Sequence, residues 1–404
     1  MRPTFHRVIF WVHLITGLAT GLIILSMAVS GLLIAYETQI MDWVGRGLRA
    51  EQPAPGSARL GTEELLRRVR EARPGFVAGG VTWKADSEAP VTLTAGRDEI
   101  CHADPFSGRL LGDKAVGWHD FFHAVTDWHR FLAQTGLERT AGKAVTGAGT
   151  LLFGVLLLSG IYLWWPRHWR LSNLRAALLF NLRLKGRARD WNWHNVVGFW
   201  SAVPMLLIIL TGLVMSYSWA NNLLFRLAGS EPPPPRGGPP GLSAPRGERQ
   251  EGGGRERGRR PEGLAQKSGA PALPPPNLEG LDELLAEAQS RYPDWRSMSL
   301  RMPQSPGGPL PLMIDCGGRG QPHLRTMLNI DLAARKLLPN EDDFSRLNLG
   351  RRLRMLARWL HTGELFGAAG QTVAMLATLA AILLVWTGFA LAWRRFSGGR
   401  AAGG

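Results

Sequence analysis

Four histidines recur in matched surroundings. His13 opens "HLITGLATGLIILSMAVSGLLIAY" and His194 opens "HNVVGFWSAVPMLLIILTGLVMSY"; the stretches share the His, a Gly four residues on, a Ser/Thr-Gly pair at 17 and 18, and a Tyr at 23. His129 in "DWHRFL" and His361 in "RWLHTG" stand ahead of "AGKAVTGAGTLLFGVLLLSGIYLWWPR" and "AGQTVAMLATLAAILLVWTGFALAWRR". These two also correspond, with a Ser/Thr-Gly pair 17 and 18 residues after the first Gly and a Trp-then-Arg end. A single interfacial histidine more often caps a helix or bonds a headgroup. Four in repeat-matched couples, at membrane depth where ionisable groups are costly, point to function. Two imidazoles per layer suit a haem iron, which takes axial ligands from opposite faces of the macrocycle and can sit between facing helices of a bundle. Zinc, the competing metal, takes a fuller set of Cys, His or carboxylate ligands, and no Asp/Glu cluster or Cys neighbours His13 and His194 in the sequence.

The elements that must carry these residues are four uncharged runs, 8–36, 144–165, 195–219 and 372–393. Each exceeds the roughly 20 residues a helix needs to cross about 30 Å of hydrocarbon. The first run is longer than a signal-peptide core of about 7–15 residues and has no small-x-small cleavage site before Glu37, so it reads as a retained anchor. The loop "PRHWRLSNLRAALLFNLRLKGRARD" has seven Arg/Lys against one Asp. Such loops stay in the cytoplasm, which places both termini there and puts about 37–142 and 220–370 outside. His13 and His194 then form an inner layer, and His129 and His361 an outer one. The net charge of +15 is accounted for by this loop, a linker and membrane edges. No nucleic-acid motif organises it, which excludes that partner class.

The outer segments repeat an order of amphipathic helix followed by alternating strands. Between them, 229–276 is rich in Pro, Gly and Arg and reads as a disordered insert. The fold expected is a mainly α membrane protein: four transmembrane helices in two helix-domain-helix repeats, with two small α+β extracytoplasmic domains. The boundaries are helix 1–36, domain 37–118, edge helix and span 119–165, basic loop 166–193, span 194–219, domain 220–350, edge helix and span 351–393, and tail 394–404. Cys101 and Cys316 both fall outside, where they could pair or remain separate thiols.

From His13 to Gly31 is 18 residues, about 27 Å of helix rise, so the layers lie near opposite bilayer faces. Two b-type haems placed there would carry single electrons across. Arg130, Arg354, Arg358 and Lys143 flank the outer layer and could bind haem propionates; interfacial anchoring is their other reading. Gly17, Gly21, Gly31, Gly198 and Gly212 could let a flat macrocycle lie against the helices, or serve plain helix packing.

The "HLITG" and "HNVVG" starts, "LHTGELFG", the "SGIYLWWPR" and "TGFALAWRR" ends and the "HADPFSGRLLG" strand-turn resemble the PepSY-associated transmembrane family, nearly throughout the chain. The family includes iron-regulated ferrisiderophore reductases. The resemblance implies a bacterial inner-membrane protein with PepSY-like domains outside and, as in the reductase members, two b haems on His13, His194, His129 and His361. The second outer segment matches that pattern poorly through "DCGGRGQPH". His119 and His123 are rival outer ligands, His123 as substitute for His129. No Gly-x-Gly-x-x-Gly follows a strand inside, so the electron donor is another molecule, a quinol or a cytosolic flavoprotein. The expected activity is transmembrane reduction of an outer Fe(III) chelate such as a ferrisiderophore. The competing reading is a membrane-anchored binding or regulatory protein; a transporter is disfavoured because no broken helix or midplane charge marks a path.

Overall fold

The computed structural model describes residues 3–47, 58–95, 99–111, 114–135, 138–165, 175, 177–233, 278–302, 308–318 and 320–397. From residue 234 on, the insert expected at 229–276 lies outside them, as do most of 166–176 and the tail after 397. The chain forms two compact units: a helical one of 1–36, 122–232 and 353–404, and a sheet-bearing one of 37–121 and 233–352.

The helical unit is built on α1 (Pro3–Ile34), α5 (Glu138–Trp164), α6 (Gly186–Ser216) and α10 (Gly367–Ser397). Among the described residues these are the helices long and apolar enough to cross a membrane. α1 and α6 each pack against both α5 and α10, so the four close into a ring with α1 and α6 on one diagonal. The burial pattern is inverted relative to a soluble protein. Leu22 and Val203 are each 71 % exposed while Ser30, Thr146, Ser159, Ser201, Thr211 and Thr387 are buried. The buried hydroxyls are satisfied locally, each donating to the carbonyl four residues back in its own helix. Small residues let the helices approach: a Cβ on Gly21 would lie 2.7 Å from the Phe389 ring, and one on Gly17 would touch Leu156.

The helices begin earlier than the apolar runs. His13 is ten residues past Pro3, which fits a first turn because its missing N–H has no partner there anyway. The polar stretch 186–193 is also helical, so His194 sits two turns inside α6. The expectation that these histidines stand at helix starts is therefore corrected. Arg187, Ala188 and Arg189 are good helix formers and extend the helix beyond its hydrophobic part.

Two shorter helices, α4 (Lys114–Phe131) and α9 (Leu349–Thr362), carry His129 and His361 in their last turns. Each ends abruptly, α4 on Leu132 and Ala133 at positive φ and α9 on Gly363 at φ 76°. The Ala-Gly starts of the following helices have a steric reason. A Cβ on Gly142 would lie 2.0 Å from the Phe131 carbonyl oxygen, and one on Gly370 would lie 2.2 Å from that of Gly363. Thr146 Oγ1 also donates to the Arg130 carbonyl at 2.9 Å, fixing the end of α4 on α5.

In the sheet-bearing unit, α3 (Thr62–Ala72) precedes β1 (Gly80–Lys84), β2 (Val91–Ala95), β3 (Glu99–Ala103) and β4 (Leu110–Leu111). α8 (Leu281–Arg291) precedes β5 (Ser297–Arg301), β6 (Leu310–Asp315), β7 (Arg325–Asp331) and β8 (Lys336–Pro339). This is the repeated order expected, but the strands form one antiparallel sheet, β4-β3-β2-β1-β5-β6-β7-β8, joined through β1 and β5. The two separate small domains anticipated from sequence are thus two halves of one sheet. Pairing β1 with β5 covers an edge that each half would otherwise leave open. Alternate residues (Val81, Leu93, Cys101, Leu300, Leu312, Ile314) join Leu65, Val69, Leu281 and Ala288 of the helices in one core. The halves are also tied by Asp282, which accepts from the Thr62 hydroxyl at 2.6 Å and from its N–H at 3.1 Å. Cys101 is buried in this core, and it forms no disulfide with Cys316.

Candidate functional site

Within the helical unit the four histidines form two facing pairs. His13 of α1 opposes His194 of α6 with ring centres 6.3 Å apart and planes at 89°. His129 of α4 opposes His361 of α9 at 6.5 Å and 64°. We refer to these as the span pair and the rim pair. Every imidazole is held through Nδ1. His13 Nδ1 is 2.8 Å from Ser159 Oγ, and His194 Nδ1 is 2.9 Å from Thr387 Oγ1. His129 Nδ1 lies 2.9 Å from the Met27 carbonyl and 3.1 Å from Ser30 Oγ; His361 Nδ1 lies 2.9 Å from the Ile208 carbonyl and 3.1 Å from Thr211 Oγ1. Although Gly31 and Gly212 are nominated for macrocycle packing, from sequence the hydroxyls of these Ser/Thr-Gly pairs read only as marks of the repeat. Their constant 17-residue offset was the signal that could have assigned them a role.

The spacing fits a metal between the rings. A metal–imidazole bond is about 2 Å and the nitrogen lies about 1 Å from its ring centre, so rings on opposite sides of one metal have centres about 6 Å apart. Among the described residues there is no group of three or more His, Cys, Asp or Glu that could hold a metal ion. Pairs without a third ligand suit an iron whose equatorial positions a macrocycle fills and do not suit zinc. In the rim pair, burial first and His361 second push His129 down to about 4, and burial also pushes His361 down. Both rings are therefore neutral at physiological pH, the form that ligates.

The rival histidines lie elsewhere. His123 is 58 % exposed with Nδ1 3.8 Å from Asp127, and His119 Nδ1 is 3.8 Å from Asp120. Six residues of helix separate His123 from His129, which puts them on different faces of α4.

Around the rim pair the charge is positive. Arg130 lies among Arg358, Arg139, Arg354 and the carboxylate of Asp127, and burial and then Arg358 lower its pKa. Arg139 is a residue that sequence reasoning missed. It bonds Asp127 at 2.8 Å and stacks on Phe131 at 3.9 Å. Its Nε is buried with no acceptor among the described residues, an orphan donor that a carboxylate would satisfy. Lys143 is exposed. The span pair has a different border: the indole N–H groups of Trp164 and Trp193 are buried without acceptors among the described residues. Of the nominated glycines, Gly31 and Gly212 face the His129 and His361 rings, whereas Gly17, Gly21 and Gly198 face Leu156, Phe389 and Leu384.

Residues 10–395 match the family model described as the PepSY-associated TM region. No curated protein matches the chain.

Proposed function

The chain belongs to the PepSY-associated transmembrane family, and from that premise we propose that it is an inner-membrane di-haem ferric-chelate reductase, moving electrons from the cytoplasmic side to an Fe(III) chelate outside. The observation that carries this reading is the stacking of two opposed histidine pairs, at 6.3 and 6.5 Å, on one membrane-spanning bundle. α1 holds His13 in one pair and Gly31 under the other, 18 residues or about 27 Å of rise apart. Each pair would hold one b-type haem, which when bound supplies one-electron transfer through its iron.

The chain's own residues supply the rest. The four imidazoles would ligate, one facing pair to each haem. Arg130, Arg139, Arg354 and Arg358 gather positive charge beside the rim pair, where propionates and anionic groups are stabilised by charge-assisted hydrogen bonds. The apolar exterior of the span helices keeps the route inside the bilayer. The electron donor is a separate molecule, a quinol or a soluble flavoprotein, and the substrate is a ferric chelate of the siderophore type whose Fe(II) form releases its metal.

The decisive experiment is the absorption spectrum and pyridine haemochrome assay of the detergent-purified protein from haem-replete cells. Close to two b haems per chain, low-spin and bis-imidazole, is expected. A haem-free preparation would sink the reading in favour of a membrane-anchored binding protein, and one haem per chain would confine electron transfer to a single pair.

A further inference from the structure

Each of the four imidazoles rests in the same niche, contributed by a different helix from its own. Ser159 and Gly160 of α5 receive His13; Thr387 and Gly388 of α10 receive His194; Ser30 and Gly31 of α1 receive His129; Thr211 and Gly212 of α6 receive His361. In every niche the hydroxyl spends its own proton on its own helix: Ser159 on Val155 at 2.7 Å, Thr387 on Leu383 at 2.8 Å, Ser30 on Ser26 at 2.8 Å and Thr211 on Leu207 at 2.6 Å. The hydroxyl oxygen can then only accept. The imidazole must supply the proton from Nδ1, which leaves the lone pair on Nε2. In every niche the glycine lies under the ring edge: a Cβ there would be 3.2 Å from Cε1 of His129, 3.3 Å from His13, 3.4 Å from His361 and 3.7 Å from His194.

We propose that these four hydroxyl–glycine pairs are positioning sites that fix the Nδ1–H tautomer and ring orientation of each ligand and so tune the iron it binds. The inference rests on the di-haem reading. A partner on the distal imidazole nitrogen sets both ligand orientation and basicity, and loss of one in other metal sites costs about 10–100-fold in affinity. The niches are not equivalent. At the rim the nearer acceptor is a backbone carbonyl, at 2.9 Å against 3.1 Å for the hydroxyl. At the span the hydroxyls stand at 2.8 and 2.9 Å, and the Leu156 and Leu384 carbonyls also bond His13 and His194. Removing a hydroxyl takes the 2.8–2.9 Å partner from a span imidazole but leaves a rim imidazole its 2.9 Å carbonyl, so the span pair is disturbed more.

The test is redox titration and electron paramagnetic resonance on purified Ser159→Ala, Thr387→Ala, Ser30→Ala and Thr211→Ala, beside Ser159→Thr and Thr387→Ser, which keep the hydroxyl. Expected is a changed low-spin signal and a displaced midpoint potential of one haem in Ser159→Ala and Thr387→Ala, or about tenfold weaker haem retention, with smaller changes in the rim variants and recovery in the conservative ones. Two bound haems with unaltered signals and potentials in all four alanine variants would overturn the positioning role while leaving the di-haem reading intact. Equal loss in Ser159→Ala and Ser159→Thr, with helicity retained, would overturn it too. Absence of haem from the parent protein would overturn the reading on which it rests.

Discussion

The span pair and the rim pair solve one problem with different elements. His13 and His194 lie inside α1 and α6, on helices that cross the bilayer; His129 and His361 lie in the last turns of α4 and α9, outside the spanning segments. The niches are shared among the same helices: α1 and α6 each give a histidine to the span pair and a hydroxyl–glycine niche to the rim pair. A ligand site can thus be built wherever a niche faces a helix able to present an imidazole, whether or not that helix crosses the membrane. What differs is the border, with guanidinium groups beside the rim and buried indoles at the span. On the proposed di-haem reading, the first border would stabilise a polar substrate and propionates, whereas the second would suit a route closed to water.

The largest effect should come from removing one ligand of each pair. His361→Ala is expected to halve the haem content and bring reduction of an external ferric chelate by liposomes to the protein-free background, while the remaining haem is still reduced from the donor side. His194→Ala should halve the haem content as well but abolish entry of electrons. Reductant supplied on one face, with haem spectra followed and Fe(II) trapped on the other, separates the two. If His361→Ala keeps both haems, the rim pair is packing only.

Next in size are the crossings that hold α4 and α9. Gly142→Ala and Gly370→Ala would drive a Cβ into a backbone carbonyl at 2.0 and 2.2 Å, an overlap that backbone must relieve at a cost of about 1–3 kcal/mol. The rim haem should be lost or loosened in both, with the span haem retained. Spectra showing equal damage to both haems would mean that the two pairs are not separately supported. Smaller again is Arg130→Gln combined with Arg358→Gln, which removes two cations beside the rim pair. Charge-assisted hydrogen bonds of about 1.5–3 kcal/mol each predict at least tenfold weaker rim haem retention or chelate binding, lessened by salt. An unchanged salt response in flash or stopped-flow reduction would show those arginines to be interfacial anchors.

The four spans and the coupling of His13 with His194 were legible because hydropathy over 20 residues and a gapless repeat are both properties of the chain alone. The helix ends were less so: 186–193 reads as a polar loop by composition, yet Arg187, Ala188 and Arg189 are good helix formers and prolong α6. The union of two sheet halves was not legible, because β1 and β5 pair across more than 200 residues and neither strand carries a mark of its partner. The repeat did favour His129 over its rival His123, but that His123 is turned out beside Asp127 is visible only in the fold. Arg139 was hidden for a similar reason. A cation in the first turn of a helix opposes the dipole, and only the fold brings Asp127 and Phe131 to it.

The finest distinction concerns what the niche glycines are for. If they serve the imidazole edge, sensitivity should follow the distance a Cβ would have to Cε1, from 3.2 Å at Gly31 to 3.7 Å at Gly388. Gly31→Ala then forces the His129 ring to move by a few tenths of an ångström and should broaden or shift the rim haem spectrum. Gly388→Ala meets only ordinary van der Waals contact, and since Ala gains up to about 1 kcal/mol over Gly in a helix, it should leave the span haem in place and raise thermal stability slightly. If the glycines instead make room for the face of a macrocycle, distance to the ring edge is irrelevant and both alanines should displace haem alike. Parallel thermal melts and haem spectra of the two variants separate the cases, and equal loss in Gly31→Ala and Gly388→Ala would return the glycines to the macrocycle-packing role first read from sequence.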